Sequence, residues 1–157
     1  MRIWPVFFCL ALISCGRSLT ETERAFTTDV LGDTIDTAPI RITKDGPLGI
    51  QTFEYEKRPR LACRERIHPE PNGDTITASA AGVVLYEQLY TSKDWSAPNY
   101  VPSYPEKLHL TAAMFFAHEM VHIWQWQNRE TTGYTPFRAA REHNNGADPY
   151  QYESASA

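Results

Sequence analysis

Cysteine is scarce in this sequence: three residues in 157, with Cys9 and Cys15 near the amino end and Cys63 alone in the body of the chain. A disulfide framework is therefore excluded as the source of stability. An excess of basic residues is also missing, since 15 Lys and Arg face 19 Asp and Glu for a net charge of −4. That balance lacks the electrostatic footprint of a nucleic-acid binder, so no nucleic-acid partner is expected. Internal repeats are absent too, which sets aside solenoids and propellers. What is present is a composition 42% hydrophobic and 12% aromatic. It is too apolar for a disordered chain, and its length serves one core but not two ordinary domains.

The amino end carries a leader pattern. Met1 and Arg2 give a short positive start, and Ile3 to Ile13 runs without a charge, interrupted only by Pro5. A bilayer span needs about 20 apolar residues, so this run has the length of a signal-peptide core. It closes on Leu12-Ile13-Ser14-Cys15-Gly16, which resembles the processing box of bacterial lipoproteins, with Cys15 as the residue that receives lipid. The expected organisation is a signal peptide over 1–14, a short tether over 15–18 and one domain over 19–157. An ordinary secretory signal with a chance cysteine, or an uncleaved anchor, are the other readings of the same run. Gly16 is not the aspartate associated with inner-membrane retention, so the lipoprotein reading places the chain at the outer membrane, facing the periplasm.

Beyond the leader, Ser18-Leu19-Thr20-Glu21 has the form of a capping box, in which a hydroxyl and a glutamate three residues later satisfy free helix N–H groups. A helix is expected to follow, with Phe26, Val30, Leu31 and Ile35 on one stripe and Pro39 as its limit. Ile40 to Ile42, Ile50 to Tyr55 and Gly82 to Tyr86 read as strands, and Pro69 to Asp74 as a strong turn. Tyr90 to Pro105, with three prolines, reads as a surface loop. Leu108 to Trp126 is the longest apolar segment and nearly long enough to span a bilayer. His109, His118, Glu119 and His122 would be costly in lipid, so it is expected to be a buried core helix.

That helix carries His118-Glu119-Met120-Val121-His122. Residues four apart stand one above the other on a helix, so the two imidazoles can converge on one tetrahedral Zn²⁺ ion. Glu119 is turned about 100° away, where its carboxylate serves a water rather than the metal. The other reading is a pair of histidines satisfied by core hydrogen bonds around an incidental glutamate. The metzincin pattern does not fit, because Asn128 stands where its third histidine would be and no glycine occupies 125. Glu130 is too far up the same helix to bend back. Glu142, His143, Asp148 and Glu153 remain as third-ligand candidates, each more often a solvated surface group. Tyr134, His143, Tyr150 and Tyr152 are candidates to stabilise an oxyanion.

The run His118 to Gln125 resembles the active-site helix of the zinc metallopeptidases associated with extracellular contractile injection systems and with Vgr-type spike proteins. Leu19-Thr20-Glu21, Val30-Leu31-Gly32-Asp33, Ile35-Asp36 and Asp94-Trp95-Ser96 agree with that family, over about residues 19 to 153. The resemblance implies an α+β, zincin-like single domain whose metal-binding helix packs on a small sheet. In the family, the stretch resembling Tyr150-Gln151-Tyr152 precedes a helix that carries the third metal-binding glutamate. Here the sequence stops first, so Glu153 substitutes, the site is incomplete, or the chain is a shortened version of a longer parent.

The expectation is an envelope-anchored zinc metallopeptidase acting on a peptide or protein substrate, with His118 and His122 as metal ligands and Glu119 as general base. The rivals are a non-catalytic envelope lipoprotein with a degenerate zincin fold, and an accessory component of a contractile injection or secretion system that binds its spike protein.

Overall fold

The computed structural model describes residues 16–44, 48, 52–57, 70, 72–138 and 140. They form a mixed α+β architecture with one four-stranded sheet, a two-stranded ribbon and three helices. Strand β1 (Arg17–Ser18) leads into helix α1 (Glu21–Leu31). Strands β2 (Arg41–Thr43), β3 (Thr52–Glu56), β4 (Thr75–Ser79), β5 (Gly82–Leu85) and β6 (Gln88–Thr91) follow. Helix α2 (Leu110–Gln127) and the short α3 (Arg129–Thr132) come last. The sheet order is β1-β2-β6-β5, antiparallel except where β2 runs parallel to β6. Strands β3 and β4 pair with each other apart from it.

The capping box exists two residues later than expected. Thr20, not Ser18, is the N-cap: its hydroxyl accepts from the Glu23 N–H at 3.2 Å, and Glu23 accepts from the Thr20 N–H at 2.8 Å. Helix α1 ends at Gly32, whose φ of 71° suits glycine, well before Pro39. Residues 16–18, assigned by sequence to a tether, already belong to the folded body. A Cβ on Gly16 would stand 2.9 Å from the Arg41 Cβ, so the backbone is seated against β2 from this point.

The core gathers Phe26 of α1, Ile42, Val84 and Leu89 of the sheet, and Ala113, Phe116, Met120 and Ile123 of α2. Each large apolar side chain buried there contributes about 1.5–3 kcal/mol. The segment after β6 is more than surface loop, because Tyr100 and Val101 are buried and Tyr100 stacks on Phe116 at 5.3 Å. Helix α2 is not sealed on all sides as its composition implied. One stripe faces the core, whereas His118 and Leu110 are exposed. No helix of the described residues is long and apolar enough to cross a membrane. The expected strand over Gly82 to Tyr86 ends at Leu85; Tyr86 turns with a φ of 60° and its ring meets Trp126.

Candidate metal centre

Helix α2 is fixed before it offers any chemistry. Its carboxyl end is clamped to the segment after α1. Gln127 accepts from the Asp36 N–H and donates to the Asp36 carbonyl, both at 2.8 Å, and the Trp124 indole N–H donates to Thr34 at 2.7 Å. Met120 and Ile123 hold the opposite side against the core. The face so presented carries His118, Glu119 and His122.

The two imidazoles meet: His122 Nε2 lies 3.1 Å from His118 Nε2, with the rings nearly perpendicular. The other nitrogen of His122, Nδ1, is 3.1 Å from Gln125 Oε1. An Nδ1–H donated to that oxygen puts the His122 lone pair on Nε2, where it accepts from His118 Nε2–H in this structure and where a metal would otherwise be bound. The sequence reading missed Gln125, although a polar residue one turn beyond a histidine on the same helix face is the signal for such a support.

Glu119, next to His118 in the chain, is buried at 6% exposure. Among the described residues its carboxyl group has no hydrogen-bond or ion-pair partner, and burial pushes it up to about 7. Space for it comes from Gly82 at the start of β5. A Cβ there would stand 3.1 Å from the Glu119 carboxyl carbon and 3.0 Å from the Phe115 ring. A glycine inside a strand commonly marks such a close approach.

Tyr134 completes the visible surroundings. Gly133 adopts a left-handed turn after α3, and the Tyr134 ring then stacks on His122 at 5.7 Å. Burial, and secondarily the Glu119 charge, raise the Tyr134 hydroxyl above its usual value. His118, Glu119, His122 and Tyr134 are thus brought together. Cys15, Glu142, His143, Asp148, Tyr150, Tyr152 and Glu153 lie outside the described residues. Among the described residues no group of three metal-capable side chains converges.

Two cavities lie off the histidine pair. One of about 380 Å³ is bounded by Asp33, Asp36, Glu87 and Arg129, and one of about 300 Å³ lies beside the amino end of α2. No protein-family model, no curated protein and no solved structure matches the chain. The site therefore stands on its own geometry.

Proposed function

We propose that the protein is a zinc-dependent metallopeptidase of zincin-like fold, held at the bacterial envelope by lipid on Cys15. The carrying observation is the convergence of two Nε2 atoms at 3.1 Å beside a buried carboxyl group without a partner. Two imidazoles on a tetrahedral zinc ion, with bonds of ~2.0 Å, stand about 3.3 Å apart, so the spacing of this pair suits two of the ligands such an ion takes. When bound, zinc supplies Lewis acidity, bringing the pKa of water towards about 7 and polarising a carbonyl.

The protein's own groups do the rest. His118 and His122 would hold the ion, with Gln125 orienting His122. The candidates for a third ligand, Glu142, His143, Asp148 and Glu153, lie outside the described residues, and an incomplete site is the alternative. Glu119, desolvated so that its proton affinity lies near neutrality, takes a proton from the attacking water and delivers it to the leaving amine. The Tyr134 hydroxyl offers a donor to the developing oxyanion. Strand β5 forms one edge of the sheet, and its outer backbone groups can receive an extended peptide.

The test is metal content and cleavage by the full chain. Stoichiometric zinc, lost in His118→Ala and in His122→Ala, together with hydrolysis of a mixed peptide library, supports the reading. Zinc content indifferent to both substitutions overturns it. A non-catalytic envelope protein is favoured by one observation, the lack of a third metal-capable side chain near the histidines among the described residues. It predicts a zinc-loaded protein that cleaves nothing.

A further inference from the structure

The cavity of about 300 Å³ beside the amino end of α2 has a fixed relation to the candidate centre. Thr111 and Ala112 line it, and Thr111, Phe115, His118 and His122 follow one another at helical spacing along a single face of α2. His118 lies seven positions after Thr111, a rise of about 10 Å. An extended peptide covers that distance in about three residues. The wall between the two places is Phe115, whose ring lies 4.9 Å from Trp95 and 5.6 Å from Tyr100 and borders Gly82 above Glu119. The Ser92 N–H donates to the Ala81 carbonyl at 2.9 Å, which ties the Trp95 turn to the start of β5. A strand laid along the β5 edge and continued past Gly82 therefore arrives at this cavity.

The chemistry of the lining selects an occupant. Trp95, Ala97, Ala112 and the edge of the otherwise buried Tyr100 give it an apolar body, His109 also lines it, and among the described residues Asp94 is its only carboxylate. Asp94 is exposed and forms no ion pair among the described residues, while its neighbour Lys93 lies outside the lining. Arg17, 5.9 Å from the Tyr100 ring, is already neutralised by Glu23. An aromatic surface beside one unneutralised carboxylate suits a long aliphatic stem that ends in a positive charge.

We propose that this cavity is a substrate subsite, with Asp94 and Trp95 selecting an arginine or lysine side chain about three residues from the bond that is cut. The proposal rests on the peptidase reading for the position of that bond. Its test is therefore run on binding as well as on cleavage. Dye-labelled peptides bearing Arg, Leu or Glu at each position in turn are titrated by fluorescence anisotropy against the full-chain Glu119→Gln variant, and the same peptides are given to the wild type.

The expected result is about tenfold tighter binding for Arg over Leu at one position, an advantage that shrinks with salt. Asp94→Asn erases that advantage and leaves Leu binding unchanged, and Asp94→Arg transfers it to Glu. A preference for Leu, or an Arg preference indifferent to residue 94, overturns the subsite. Asp94-dependent binding without any cleavage by the wild type keeps the subsite and sinks the peptidase. Cleavage without Asp94 dependence does the reverse, and no binding to any peptide overturns the subsite.

Discussion

Glu23 and Glu119 are both nearly sealed from solvent, at 0% and 6% exposure, yet their surroundings push their protons in opposite directions. At Glu23, burial by itself raises the pKa, but the hydrogen bonds and charge around it reverse that and leave it below the usual value. Arg17 reaches both carboxylate oxygens at 2.7 and 2.8 Å, and the N–H groups of Thr20 and Tyr100 donate at 2.8 and 3.0 Å. At Glu119, burial acts alone and the pKa rises. The same side chain is held ionised by partners in one place and left with burial alone in the other. What separates the two roles is whether the fold satisfies the carboxylate or leaves it to something that arrives. Burial without a protein partner penalises the ionised form of Glu119, whereas the partners of Glu23 favour its ionised form.

The comparison breaks most sharply if both glutamates are neutralised in turn. Glu119→Gln is expected to lower kcat for peptide hydrolysis about 10³-fold, while urea unfolding shows stability unchanged or higher. Glu23→Gln is expected to cost about 3 kcal/mol in the same unfolding experiment, because it removes the charge opposite Arg17 and one of the two oxygens that accept from Thr20 and Tyr100. The pH dependence of Glu23 has a definite sign. A depressed folded-state pKa means that its stabilisation is complete above the unfolded carboxylate value, near 4.5, and is lost as pH falls through the lower folded value. Stability measured against pH should therefore show an acid limb in the wild type that flattens in Glu23→Gln.

Smaller effects probe how the open carboxylate is framed. Gln125→Ala should weaken zinc binding about tenfold, read by competition with a chelator, since His122 loses its orienting partner. Gly82→Ala should cost about 1 kcal/mol, because the added methyl group presses on Phe115 and Glu119. An alanine at 82 that leaves both stability and hydrolysis untouched would show that the β5 approach does not position Glu119.

The contrast between the two glutamates also explains what the sequence disclosed. The spacing of His118 and His122 on an apolar run made α2 and its polar face legible, since a helix's period is local information. The capping box was legible in kind but not in place. Ser18 to Glu21 and Thr20 to Glu23 satisfy the same pattern, and the choice is made by Arg17 and the Tyr100 N–H, which arrive through tertiary structure. Strand β6 was hidden because its parallel pairing with β2 joins residues far apart in the chain. Tyr100 and Val101 were read as loop because Pro98 and Pro102 flank them, although prolines forbid regular structure rather than burial. Gly82 did carry a signal, a glycine inside a strand, that points to a close neighbour without naming it.

The sheet order gives the molecule a polarity of placement. Strand β1, which receives the chain at Arg17, occupies one edge, and β5, which borders Glu119 through Gly82, occupies the other. Three strand spacings, about 14 Å, lie between them. Whatever grips the amino end of the folded body grips the margin remote from Glu119. On the reading proposed above, a lipid tether and the candidate centre would lie at opposite margins of one small sheet.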